Sequence, residues 1–421
     1  MFPPWITPVL CWNLIQSLTG LTVAFTASDS RVRPLVAALT ALLAYTLQTN
    51  IQTHFAGTRP SGPLVAMCWV NVLNAMDLLV LRRASYEAQL AYRNTKAKKK
   101  EKPTTSAPNS QTIVNKLFFA LELPYNYRRI NTPWANARPL ARPTSTTATP
   151  QTSQKSKSTF LLHSTLTLLV SGAIIHLLTL DPSSPHLNRA LSNLDTAKSV
   201  LLLPLRAANN NAHALLVQIL FTLSFGLVTR AAIIGGHTSV AILAVLILGD
   251  DPANWPPIFE PLSQACSLRG LWGKSWHQIL RVPLTSNATF LASLLGLAPT
   301  SRGAHWLRVV IAFTGSGIIH SLCDIGFGVP LDKTGGIYFY TLQIGGFVVE
   351  SVVSTVYARL RKTFGLRLGR NVEGVVGYIW VLVFLAWSTP VWINPILVSL
   401  AADGTRVMSP WLGLNPTVYE L

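Results

Sequence analysis

Charged side chains are scarce in this chain. They make up 12% of its 421 residues, against about 25% in soluble proteins. The scarcity is regional: residues 6–25, 34–53, 159–180 and 375–400 contain no Asp, Glu, Lys or Arg. Cysteine is sparse too. Cys11, Cys68, Cys266 and Cys323 are scattered without metal-type spacing, which speaks against a disulfide framework or a zinc site, and no metal is expected. The apolar runs show no alternation of period two, so a membrane β-barrel is excluded. No internal repeat is found. No basic leader precedes the first run, which is therefore expected to be a retained helix rather than a cleaved signal peptide.

What is present is hydrophobicity in membrane-length pieces. The four charge-free runs are each long enough to cross a hydrocarbon core, which takes roughly 20 residues. Residues 62–81, 304–327 and 336–357 are similar, with one or two charged residues each. The run 213–249 is about twice the crossing length and is interrupted by Arg230 and Gly235–Gly236. Only helices satisfy the backbone of such segments in lipid once barrels are excluded. The expected fold is all-α, a polytopic transmembrane helical bundle of about eight crossings. It divides into N-terminal transmembrane helices (1–81), a basic loop rich in Pro, Ser and Thr (82–158), and a second transmembrane region (159–421).

The net charge of +18 is concentrated. Residues 82–158 hold fifteen Lys/Arg against three Asp/Glu, and include KAKKKEK at 96–102. This fits a solvated cytoplasmic loop under the positive-inside rule, with attraction to anionic lipid, and no nucleic-acid partner is expected. A second basic loop follows residue 357, with Arg359, Arg361, Lys362, Arg367 and Arg370. If both loops are cytoplasmic, 213–249 crosses an odd number of times. One tilted or broken crossing then places both termini in the lumen and 250–303 at the cytoplasmic face. Two crossings would move 250–303 to the lumen. The acceptor sequence Asn287-Ala288-Thr289 probes this, and Asn287 is expected to be unmodified.

Two segments carry polar residues that an apolar chain does not need. SLRGLWGKSWHQILR, 267–281, is predicted as an interfacial amphipathic helix. At about 100° per residue, Leu268, Leu271, Trp272, Trp276, Ile279 and Leu280 gather on one side. Arg269, Lys274, His277, Gln278 and Arg281 gather on the other. Ser267 is the expected N-cap and Pro283 lies beyond the expected end. Two roles fit: a lipid-anchoring helix with an incidental histidine, or a cationic face that holds a phosphorylated substrate beside His277. The second segment is IAFTGSGIIHSLCDIGFG, 311–328. A histidine within an apolar crossing is costly, so function is its default reading. On a helix, Phe313, Ser316, Gly317, His320 and Asp324 share a face. Asp324 can accept from the ring and fix its tautomer; close packing by small residues with a satisfied polar pair also fits.

Other polar residues are weaker candidates. Asp77 with Asn74, and Glu350 with Gln343, are expected to bond between helices more than to touch substrate. His163, His176 and His237 are expected in packing or at the interface. Tyr338, Tyr340 and the tryptophans near crossing ends fit aromatic belts.

Three motifs in order resemble the wax-synthase-like branch of the membrane-bound O-acyltransferase superfamily. RRINTPW (128–134) is similar to that branch's short RGIGTPW-like motif. WPPIF (255–259) followed by SLRGLWGKSWHQ (267–278) resembles its WPP-type lead and SLR core. SGIIH (316–320) resembles its membrane histidine behind small residues. Leu271 replaces the usual aromatic before Trp272, and Arg129-Ile130-Asn131 replaces the glycine-rich middle of the first motif.

The resemblance implies an enzyme that moves an acyl group from acyl-CoA, a co-substrate rather than a bound cofactor, to a hydroxyl. His320 matches the superfamily's membrane histidine and His277 its second, Asn-or-His, position. Fungal members often acetylate terpenoid or meroterpenoid alcohols in secondary metabolism, and plant members make wax esters. The WHQ form looks closer to the fungal kind, and the endoplasmic reticulum membrane is the implied location. A neutral imidazole at His320 is then the general base. His277 is a candidate donor to the thioester carbonyl or the developing oxyanion. Arg269, Lys274 and Arg281 are candidates for the CoA phosphates, with Trp272 and Trp276 beside them. Long-chain wax-ester synthesis is the rival within the enzyme class, and a membrane transporter the rival outside it.

Overall fold

The computed structural model describes residues 3–98, 113–135, 156–180, 212–365, 368–402 and 407–408. The remainder of the 82–158 loop, including most of KAKKKEK, and Arg367 of the second basic loop lie outside the described residues. Helices α1 (Ile6–Phe25), α2 (Val32–His54) and α3 (Ser61–Met76) follow the first three apolar runs. A π-helical turn, Asp77–Leu81, extends α3. Then come α4 (Tyr86–Lys98), α5 (Ile113–Glu122), α6 (Lys157–Leu177) and α7 (Ala212–Ile247). The last five are α8 (Arg281–Leu294), α9 (Arg302–Gly326), α10 (Gly336–Phe364), α11 (Arg370–Ser388) and α12 (Pro390–Ala402). Thr179–Leu180 and Val407–Met408 form a short antiparallel pair.

Eight helices among the described residues are long and apolar enough to cross a membrane: α1, α2, extended α3, α6, α7, α9, α10 and α11. The run 213–249 holds a single helix that neither Arg230 nor Gly235–Gly236 breaks. Its 36 residues reach about 54 Å, more than the roughly 30 Å hydrocarbon thickness, so one tilted or overhanging crossing accounts for the excess. The run 375–400 departs from expectation. It divides at Thr389–Pro390 into α11 and the short α12. Pro390 removes a backbone donor and clashes with the preceding turn, so it opens a helix readily and continues one poorly.

By contacts the chain forms two units: Met1–Ala56, Pro60–Pro139 and Gln278–Gly326 in one, Gly57–Arg59, Leu140–His277 and Phe327–Leu421 in the other. This division cuts through the expected region 159–421. Helix α9, with His320, packs on α3 of the first unit. The reason is local: a Cβ at Gly326 would stand 2.8 Å from the Cα of Gly62, so glycine on both helices permits the close crossing.

The described part of 82–158 is not the solvated loop its charge suggests. Within IVNKLFFALELPY, residues Phe119, Ala120 and Leu123 are buried and join a core with Val23, Leu78 and Tyr86. The segment that follows, RRINTPW, folds over a buried ionic network. Arg129 and Asp77 are both fully buried and pair at 2.9 Å. Arg82 meets the other Asp77 oxygen at 2.9 Å. Arg129 also donates to Asn74 Oδ1 at 2.7 Å, and Tyr127 donates to Asn71 Oδ1 at 2.5 Å. Burial holds the Arg129 guanidinium below its usual pKa, opposed by the Asp77 charge, and burial pushes the Tyr127 phenol well up. Arg129 and Asn131 both have left-handed backbone, with φ of 56° and 57°. The related motif carries glycine at these two positions, where a Cβ is costly. Asp77 and Asn74 thus bond within the protein, to Arg129 of a loop rather than to a second crossing helix.

Asn287 lies inside α8, and its amide donates to the Pro283 carbonyl at 2.6 Å and the Leu73 carbonyl at 3.3 Å. Helical backbone and an engaged amide keep this acceptor from the extended form that modification needs. We therefore expect no glycan on Asn287 on whichever side it lies, and no mobility shift on endoglycosidase treatment. A shifted band would show that α8 unfolds before it packs. The site is accordingly a poor reporter of sidedness.

Candidate functional site

In the first unit the site is built on α9. Ser301 caps this helix, its hydroxyl accepting from Ala304 N at 3.1 Å. Ser316, Gly317 and Asp324 are buried, and His320 is half-buried on the same side. Its Nδ1 lies 2.7 Å from the Ser316 carbonyl oxygen and 3.5 Å from the Ser316 hydroxyl. A carbonyl only accepts, so Nδ1 carries the hydrogen and a neutral ring presents its lone pair at Nε2. The ring thus has an orienting partner that the sequence reading did not name, one turn before it. Asp324, one turn after, is fully buried on the same helix.

RRINTPW lies in the first unit as well, and the second unit holds WPPIF and the SLR core as far as His277. The expected helix over 267–281 is not continuous. Leu268–Gly270 is helical, Leu271–Ser275 is a π turn, and Trp276 is extended with φ −78° and ψ 160°. The next helix, α8, begins at Arg281, so Pro283 sits in its first turn rather than beyond an end. Ser267 is the N-cap as expected, accepting from Gly270 N at 2.9 Å. The helical wheel ceases to apply at Trp276, so the five polar residues do not form one cationic face. His277 leaves the helix and sits against the rings of Trp276 and Phe259 at centroid distances of 5.8 and 5.9 Å.

The short helix is held from α10. Glu350 accepts from the backbone N–H of Leu268 and, at 3.3 Å, of Arg269. It also accepts from Trp380 Nε1 at 3.0 Å. Gln343 accepts from Trp272 Nε1 at 3.1 Å. Arg269 donates to the Ser351 hydroxyl and to the Phe347 carbonyl. Ser267 and Glu350 thereby take the first three helical N–H groups, and the guanidinium of Arg269 is tied to α10. Lys274 is exposed. Arg281 belongs to the first unit, where it donates to Gln278 Oε1 at 2.8 Å. Glu350 and Gln343 are bonding groups between elements, as expected, and their partner is the motif itself.

Hydrogen bonds to a charged acceptor contribute about 1.5–3 kcal/mol each. Glu350→Ala is therefore expected to lower kcat/KM by roughly ten- to a hundredfold. Glu350→Gln, which keeps one acceptor oxygen, is expected to recover part of that loss. Equal activity of both variants with wild type would refute the scaffolding role.

Aromatic packing surrounds the motif within the second unit. Trp272 contacts Trp276, Phe339 and Tyr340 at 5.7, 6.1 and 5.8 Å. Trp392 of α12 stacks on Phe339 at 5.1 Å. Tyr340 is thus buried in this cluster, not in an aromatic belt; Tyr338, on the opposite face of α10, is exposed. Phe259, from WPPIF, also receives the guanidinium of Arg230 at 4.1 Å. Arg230 enters the sequence reading only as an interruption of an apolar run. A lone arginine in such a run is the signal that marks it.

Residues 255–342 match the model of the membrane bound O-acyl transferase family. Acetyltransferase aurG of Calcarisporium arbuscula is 25% identical over 92% of this chain and 93% of its own length. Acetyltransferase spyB of Aspergillus fumigatus is 30% identical over 40% of this chain and 31% of its own length. Acetyltransferase nanB of Aspergillus nanangensis is 34% identical over 43% of this chain and 44% of its own length. The chain thus matches nearly all of the first and under half of the other two. No solved structure matches.

Proposed function

We propose that this chain, which matches the membrane bound O-acyl transferase family over residues 255–342, moves an acetyl group from acetyl-CoA to a hydroxyl of a hydrophobic, terpenoid-like alcohol, with His320 as general base. The observation that supports this most is the ring of His320, oriented by the Ser316 carbonyl so that Nε2 presents the lone pair. An alcohol holds its proton far above neutral pH and attacks a thioester slowly. Nε2 takes that proton as the oxygen bonds to the thioester carbon. The tetrahedral intermediate then expels the CoA thiolate, which recovers the proton from the imidazolium. His277 is the proposed donor to the developing oxyanion. Lys274 and Arg281 are proposed for the CoA phosphates, with Trp272 and Trp276 beside the donor. Arg269, tied to Ser351 and Phe347, has the weaker claim. Asp324 is proposed as a further orienting group for His320.

As an O-acyltransferase the chain is not the transporter considered from composition. The acetyl donor is supported by relatives that are named acetyltransferases, and the terpenoid acceptor by the motif resemblance alone. Residence in the endoplasmic reticulum and a cytoplasmic position for 250–303 are part of the same proposal. The test compares acetyl-CoA with palmitoyl-CoA in membranes containing the protein and a panel of terpenoid and long-chain alcohols. Ester and free CoA are expected from the acetyl donor with a terpenoid acceptor. Preference for palmitoyl-CoA with a fatty alcohol would replace this proposal with wax-ester synthesis.

A further inference from the structure

Arg230 is the only Asp, Glu, Lys or Arg of α7, eighteen residues into a helix of 36. A cation in that position is costly unless it is neutralised. Among the described residues no carboxylate lies within ion-pair distance of it, in contrast to Arg82 and Arg129, which pair with Asp77. Its guanidinium lies over the ring of Phe259, and Nη1 donates to the Ser275 carbonyl at 3.3 Å. Both partners are buried. Stacking occupies one face of the guanidinium, and among the described residues its in-plane N–H groups, five in all, are available apart from the one on Ser275. The same Phe259 ring touches His277. A built-in cation is therefore fixed, through one aromatic ring, beside the WH motif.

We infer that Arg230 is an anion receptor that binds a phosphate group of the acyl donor. This rests on the acyl-transfer proposal above. The oxyanion of the reaction is transient, so it cannot offset the cost of the cation in the resting enzyme. A phosphate is a permanent anion, and the planar fork of arginine matches its oxygens in bidentate fashion. A phospholipid headgroup offers the same chemistry, and the experiment has to separate the two.

The test uses the full-length protein in nanodiscs, as wild type, Arg230→Gln and Arg230→Lys. CoA and pantetheine binding are measured directly, and turnover is compared with acetyl-CoA and with S-acetylpantetheine, which lacks the nucleotide phosphates. For Arg230→Gln, the Kd of CoA is expected to rise roughly tenfold or more, the scale of a lost charge-assisted bond. The ratio of kcat/KM for acetyl-CoA to that for S-acetylpantetheine is expected to fall by a similar factor. Arg230→Lys, which keeps charge but lacks the fork, is expected to fall between. An equal loss with both donors overturns the inference, because the residue then acts at the reacting carbonyl or in folding. Unchanged CoA binding also overturns it; if co-purified phospholipid is lost in that case, the occupant is a lipid headgroup. If wild type turns over neither donor, acetyl transfer fails as a proposal while the CoA-binding arm still judges Arg230.

Discussion

Replacing His320 by alanine is expected to lower kcat by about 10²–10⁴-fold, the usual contribution of a positioned general base. On the tenfold-per-1.36 kcal/mol scale this is a loss of about 3 kcal/mol or more of transition-state stabilisation. The KM for acyl-CoA should change little, because the base acts on the alcohol. Ser316→Ala provides the contrast. It removes the hydroxyl, 3.5 Å from Nδ1, and keeps the carbonyl at 2.7 Å, so its kcat is expected within about threefold of wild type. Kinetics on protein of matched monodispersity decide the matter. Near-normal kcat in His320→Ala would remove the base from the mechanism, and a large loss in Ser316→Ala would move the orienting role from the carbonyl to the hydroxyl.

Most of the membrane architecture was legible because charge is so expensive in lipid. Scarcity of Asp, Glu, Lys and Arg, complete in four runs and partial in the other four, locates all eight candidate spans. The failures have specific causes. Helical periodicity continues in the sequence through Gly273-Lys274-Ser275, but the chain turns extended at Trp276, which only tertiary contacts decide: Ser275 donates to the Pro261 carbonyl at 3.0 Å. Net charge hid the apolar repeat of Phe119, Ala120 and Leu123. Pro390 lay in a run whose hydrophobicity continued past it, so one crossing was expected where two helices form.

The site was legible in its chemistry and less so in its supports. His320 stood out because an apolar helix has no other need of it. Its orienting partner is a backbone carbonyl, and carbonyls leave no mark in a sequence. Glu350 and Gln343 were visible as polar residues in a span, but their partners, 82 and 71 residues away, were not. The same holds for Arg129: its motif was recognised, yet neither its burial nor its pairing with Asp77 could be read from residue types.

That pair gives the largest expected effect on stability. Asp77 is the single carboxylate between Arg129 and Arg82. Asp77→Ala leaves a fully buried guanidinium without its counter-charge, and breaking such a pair typically costs about 3–5 kcal/mol. Arg129→Met is expected to cost less, because Arg82 still neutralises Asp77. Arg129→Gly restores the residue found in the related motif and relieves a left-handed backbone worth about 1–2 kcal/mol. It also deletes the bonds to Asp77 and Asn74. The lost pair outweighs the relieved strain, so this variant is expected to be less stable than wild type. Asn131→Gly relieves the same kind of backbone and gives up an exposed bond from Lys96 in place of a buried ion pair; it is expected within about 1 kcal/mol of wild type. Thermal midpoints of the purified protein in one detergent should therefore run Asn131→Gly near wild type, then Arg129→Met and Arg129→Gly, then Asp77→Ala lowest. An Arg129→Gly protein as stable as wild type would mean that backbone strain, not the buried ion pair, dominates this loop.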